Sequence, residues 1–176
     1  MSLYQNKYRI ETARSKEWDY SNPWWYYVTI NTKNHHSYFG RVIKGNMILN
    51  YKGGIAEKIW KNIPEHYGNV ELDHHVIMPN HIHGIIIINE VETGHAPSLQ
   101  RRKNTLSNIV GSFKSAVTKT LHERGIKDFA WQPRFYDRII RNEKELYNIR
   151  KYIEENPLKW YYEKDNPENI FESLIC

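Results

Sequence analysis

The stretch His81 to Asn89, HIHGIIIIN, sets the tightest limit on how this chain folds. Beyond the two histidines it is apolar on both faces. A strand of that kind has to be covered on both sides, as a central strand is. Strand residues at i and i+2 point the same way, so His81 and His83 share a face while Ile82 turns to the other. Two imidazoles then converge on one point. Neutral imidazole binds divalent metals, and two histidines leave coordination positions open for a substrate. His-x-His also arises by chance. His74 and His75, just upstream, read either as further ligands or as exposed strand residues.

The rest of the chain supplies elements around that strand. Trp24 to Thr32 is aromatic and β-branched and reads as a strand. Tyr38 to Tyr51 has two short apolar arms about Lys44-Gly45-Asn46, a hairpin signal. Ile55 to Tyr67 reads as an amphipathic helix with Pro64 marking its C-terminal region, and Val70 to Met78 as a strand broken by Pro79-Asn80. Leu106 to Glu123 carries one apolar stripe through Ile109, Val110, Phe113, Val117 and Leu121, with Gly125 behind it. Tyr136 to Arg141 reads as a strand. Glu143 to Glu155 reads as a helix capped by Asn142 and closed by Asn156-Pro157, with Leu158 to Tyr162 as a short helix beyond. Strands and helices alternating with hairpins point to an α+β fold, an antiparallel sheet with helices packed mainly on one face. Residues 1–23 form a polar lead-in and 24–176 one domain.

Charge narrows the partner. Ser98 to Lys164 carries 15 Lys and Arg against 8 Asp and Glu, whereas the remainder carries 10 against 12. A positive field confined to one part of a molecule suits a phosphate polymer, although a solvated basic surface has the same composition. The candidate contacts to a phosphate backbone are Arg101, Arg102, Lys103, Lys114, Lys119, Arg134, Arg138 and Arg141. Trp131 and Phe135 suit either base stacking or the core. Cys176 is the single cysteine, so no disulfide forms within the chain, which fits a cytoplasmic location. The longest aliphatic run, Ile85 to Ile88, is too short for a membrane span, and Met1 to Arg14 lacks the apolar core of a signal peptide. No phosphate-binding Gly-rich loop is present.

Tyr152 and Asn156 lie one turn apart and can share a helix face. A phenol is an unusual nucleophile, useful when a metal holds the phosphodiester it attacks, and a carboxamide oxygen is a reasonable third ligand. Core packing for Tyr152 and helix termination for Asn156 explain the same pair. Tyr147, Tyr161 and Tyr162 are rival tyrosines that periodicity does not separate from Tyr152.

Three segments, in order, resemble a known family: VIMPNHIHG (Val76 to Gly84), WQPRFYDRIIR (Trp131 to Arg141) and YIEENPLK (Tyr152 to Lys159). The chain from about Trp24 to Trp160 is similar to the HUH single-tyrosine transposases, above all the REP-associated tyrosine transposases. "HUH" is His81, Ile82, His83 here. The resemblance implies a ferredoxin-like α+β fold with the HUH strand central in the sheet. It implies Tyr152 as the nucleophile, and His81, His83 and Asn156 as ligands of magnesium or manganese. The expected partner is single-stranded DNA containing a hairpin, cut and rejoined through a 5′-phosphotyrosine, by a monomer or a homodimer. A replication or transfer nickase of the HUH kind, a domesticated DNA-binding protein that no longer cuts, and a metal-dependent hydrolase using water are the competing expectations.

Overall fold

The structure is a computed structural model and describes residues 18–90 and 104–163. Four strands form the main sheet: β1 (Trp24–Asn31), β4 (Val70–Ile77), β5 (His81–Ile88) and β6 (Tyr136–Ile139). Their order across the sheet is β4-β5-β1-β6, every neighbour antiparallel. A separate hairpin, β2 (Gly40–Ile43) and β3 (Asn46–Leu49), follows β1. Four helices complete the fold: α1 (Tyr51–Lys61), α2 (Ile63–His66), α3 (Leu106–Glu123) and α4 (Glu143–Tyr162). With the hairpin set aside, the main-sheet strands and the helices α1 and α3 run β-α-β-β-α-β, the ferredoxin-like connection. The strand β5 is central, as its two apolar faces require.

Alternation along β1 and β5 divides the interior. Tyr26, Val28 and Ile30 join Ile82, Ile86 and Ile88 beneath α1 and α3. On the opposite face Tyr27, Ile85 and Ile87 pack with Ile140 and with Ile153 of α4. Three helices therefore cover one face and α4 the other. Gly84 is needed on the first face, since a Cβ there would come within 2.3 Å of the buried Trp60 ring. His81 and His83, in phase with Ile85, face α4.

Local chemistry sets the helix starts. Asn50, Thr105 and Asn142 each cap a helix by accepting from its first-turn amides. Lys44 and Gly45, both at positive φ, make the hairpin turn. Pro64 stands in the first turn of α2 and opens that short helix instead of closing a longer one.

A second sequence expectation is also overturned. Asn156-Pro157 does not end a helix; α4 runs unbroken from Glu143 to Tyr162 with Pro157 inside it. An interior proline costs about 3 kcal/mol. Contacts of the distal half offset that cost: Leu158 packs on the Gly45 turn, Asn156 is buried and the Trp160 ring rests 5.7 Å from His81. The helix is also held to the sheet edge. A bulge in β4 between Leu72 and His75 lets two consecutive residues reach α4. Asp73 accepts two hydrogen bonds from Arg150 (2.8 and 2.6 Å), and His74 lies 2.9 Å from Glu154. Tyr152 sits between these two anchors.

Of the lead-in, residues 1–17 lie outside the described residues. Trp18 and Tyr20 pack against the main core, where the Trp18 indole donates to the Tyr26 hydroxyl. Among the described residues no helix is long and apolar enough to cross a membrane.

Candidate active site

The histidine pair stands on the α4 face of the sheet with ring centroids 4.6 Å apart. Hydrogen bonds assign the proton on each ring. Asn80 donates its amide nitrogen to the His35 carbonyl, which turns its oxygen to His81 Nδ1 at 2.6 Å. That oxygen only accepts, so His81 Nδ1 carries the proton and Nε2 keeps a lone pair. Antiparallel pairing sets Thr29 opposite His83. His83 Nδ1 then lies 2.7 Å from the Tyr27 hydroxyl and 2.9 Å from the Thr29 hydroxyl. Thr29 gives its own proton to Tyr27, so its oxygen accepts from His83 Nδ1–H. His83 Nε2 is thereby left with its lone pair as well.

Both rings are neutral at physiological pH. Burial pushes His81 down to about 4, against an Asn156 hydrogen bond that favours the charged ring, and His35 adds repulsion. Burial pushes His83 down to about 3, helped by His81. The sign of the linkage follows. Below about pH 6.5 the unfolded chain takes up protons that the folded chain refuses until about 4 and 3, so stability is present above 6.5 and lost as pH falls toward those values. In chelator, the urea midpoint should drop between about pH 7 and pH 4 by the equivalent of several kcal/mol. A His81→Asn, His83→Asn variant should lose much less over the same range. Equal losses in the two proteins would rule out the pair as the source.

The helix α4 brings the other expected residues to the same place. Asn156 is buried and hydrogen-bonded to His81. The Tyr152 ring lies 5.2 Å from His83, edge-on at 70°, and 6.5 Å from Tyr27, yet stays 40% exposed. Lys159 Nζ sits 5.0 Å over the Tyr152 ring, a cation–π contact. The rival tyrosines are elsewhere. Tyr147 lines a separate groove with Trp24 and Trp25, and Tyr161 packs on Tyr162 past the site. His74 pairs with Asp73 and Glu154, and His75 stacks on Trp60 beneath the sheet, so neither joins His81 and His83.

Among the described residues no three His, Cys, Asp or Glu side chains form a metal cluster. The donor set available is two neutral imidazoles and one buried amide side chain that already meets His81. It lacks thiolate and suits a hard or borderline divalent ion with open positions.

No family model matches the chain. A Haemophilus influenzae (strain ATCC 51907 / DSM 11121 / KW20 / Rd) protein described as uncharacterized is 37% identical over 159 residues, spanning 85% of this chain and 88% of that protein. The chain belongs to the same family as that protein. The structure of a REP-associated tyrosine transposase bound to a REP hairpin superposes with TM-score 0.56 at 20% identity, covering 83% of this chain and 74% of that one. This is the tyrosine-transposase fold. A candidate transposase from Deinococcus radiodurans R1 gives TM-score 0.46 at 17% identity, over 81% of this chain and 96% of that one.

Within the tyrosine-transposase fold the expected DNA contacts separate. Arg138 and Arg141 line an open groove of about 830 Å³ between β6 and α4, and Tyr152 lines it too. Arg138 is engaged there by Glu145. Arg134 is exposed in the loop before β6. Lys114 is half-buried, its ammonium donating to the Gln132 carbonyl, and burial lowers its pKa. Lys119 is exposed on α3, beyond the opposite face of the sheet. Arg101, Arg102 and Lys103 lie outside the described residues. Trp131 is core, and Phe135 packs against that core. Sequence reasoning missed Tyr27, Thr29 and Asn80, which orient the histidines, and Trp160, which packs on one of them. The period-2 pattern of WWYYVTINT marks Tyr27 and Thr29 as sharing a face, but only the β1–β5 register shows what they meet.

Proposed function

We propose that this chain is a DNA transposase that cuts and rejoins single-stranded DNA through a 5′-phosphotyrosine link. The observation that carries the reading is one helix setting a half-exposed Tyr152 against His83 and a buried Asn156 against His81. His81, His83 and Asn156 would hold one divalent ion, magnesium or manganese. Such an ion supplies Lewis acidity, drawing charge from a non-bridging phosphate oxygen. The chain's own residues do the rest. Tyr152 oxygen attacks phosphorus as its proton leaves to solvent, and the 3′-oxygen departs and takes up a proton. One P–O bond forms as one breaks, so a second 3′-hydroxyl can reverse the step and join new ends. Half-exposure lets the phosphate reach the phenol, while Tyr27 and Lys159 confine the ring. The related fold solved with a REP hairpin supports a hairpin with single-stranded flanks as substrate.

The test is covalent capture: protein, divalent metal and a hairpin oligonucleotide should give a protein–DNA adduct that survives denaturation. Cutting without an adduct at any tyrosine would favour the water-using hydrolase. The oriented histidine can be probed separately. Removing both acceptors of His83 Nδ1–H, by Tyr27→Phe with Thr29→Val, should weaken manganese binding about 10- to 100-fold by calorimetry. The single Thr29→Ser variant should bind as wild type. Unchanged affinity in the double variant would show that the hydroxyls do not set the ligand.

A further inference from the structure

The groove between β6 and α4 holds an aromatic that the chemistry above does not use. Tyr136 opens the edge strand β6, and pairing places it opposite Thr29, which is itself opposite His83. The three residues form a row across one face of the sheet. Tyr136 is thus two strand spacings, about 10 Å, from the histidine that the proposed reaction centres on. Its ring is 48% exposed. It is nonetheless held, with its edge toward Tyr27 at 6.5 Å and its hydroxyl hydrogen-bonded to Arg138. Arg141, Lys144 and Tyr152 line the same groove.

We propose that Tyr136 is the floor of a nucleobase subsite, stacking the unpaired base next to the phosphate held at Tyr152. This rests on the proposed DNA chemistry and extends it to a residue outside the metal and nucleophile set. A half-exposed ring already held by its neighbours suits stacking, because little freedom remains to be lost on binding. The occupant is single-stranded: a paired base has its faces covered by its neighbours in the stack. Stacking accepts any base, so the subsite contributes affinity and position without reading sequence. Arg141 and Lys144 in the groove lining suit the backbone phosphates on either side.

The test uses the full chain and two probes, a short single-stranded oligothymidylate and the same backbone with every base replaced by an abasic spacer. Tyr136→Leu should weaken binding of the oligothymidylate about tenfold and leave the abasic strand unchanged. Tyr136→Trp should restore binding, and Arg141→Ala should weaken both strands alike. Equal losses of Tyr136→Leu on both probes, or no loss on either, overturn the subsite while covalent capture by Tyr152 stands. Failure of the wild-type chain to bind either strand overturns the DNA reading together with the subsite.

Discussion

Tyr152→Phe is expected to abolish the protein–DNA adduct and to leave the fold almost untouched. The substitution removes one oxygen from a ring that is 40% exposed and keeps its edge contacts with His83 and Tyr27. Surface changes of that size usually shift stability by less than about 0.5 kcal/mol. The chemistry loses its nucleophile outright, so adduct on denaturing gels should fall below detection, on the order of a thousandfold or more. Single-stranded DNA should still bind, because the groove and its cations remain. An adduct of undiminished yield in Tyr152→Phe would assign the nucleophile to another tyrosine. Tyr136, which shares the groove with Tyr152, would be the first to test, since Tyr147 lines a different groove beside Trp24 and Trp25. Tyr136 and Tyr27 are nearer to the histidines. Tyr27 is the weaker candidate, because burial raises its pKa and disfavours the phenolate.

His83→Ala and His81→Ala should each remove the adduct as completely, by a different route. Phenol is a poor nucleophile toward an unpolarised phosphodiester, and loss of one imidazole leaves the ion with too few ligands. Several kcal/mol of Lewis-acid stabilisation corresponds to a rate loss of about a thousandfold. Chelator added to wild type should give the same result, and manganese should restore wild type but not the variants. His83→Ala also opens a gap between Tyr27 and Tyr152, so its melting temperature must be recorded beside its activity. His83→Leu fills that gap without a donor atom and separates lost ligation from lost packing. Full adduct formation by either alanine variant in chelator would remove the metal from the mechanism. Asn156→Ala should be milder in chemistry, since two imidazoles and solvent still hold an ion. It should be worse in stability than a surface change, because the side chain is buried.

The resemblance carried by VIMPNHIHG, WQPRFYDRIIR and YIEENPLK led to the same fold that the superposition shows. Each segment also has a local physical content that can be followed into the structure. In the second, Trp131 turns out to belong to the core with Phe135 packed against it, and the Gln132 carbonyl takes up Lys114. Its strand half carries Tyr136 and Arg138 into the groove. Basic residues were the least legible. Nothing local distinguishes Lys114, which is drawn into the fold, from Arg141, which faces the groove, because each depends on what the rest of the chain brings near it.

Strand alternation by itself determined that His81 and His83 share a face, since the two-residue period of β structure needs no knowledge of partners. The aliphatic run behind them determined that the strand is central. Helix spacing determined that Tyr152 and Asn156 can lie together, and the Asn142 cap determined where the last helix begins. Tertiary structure alone decided which groups meet. The β1–β5 register, a pairing between residues more than fifty positions apart, put Tyr27 and Thr29 on His83 Nδ1. A one-residue slip would have turned them to the opposite face. Local rules ended the last helix at Asn156-Pro157. Packing of Asn156, Leu158 and Trp160 carried it through Pro157, because contacts made by a whole helix outweigh the preference of one dipeptide.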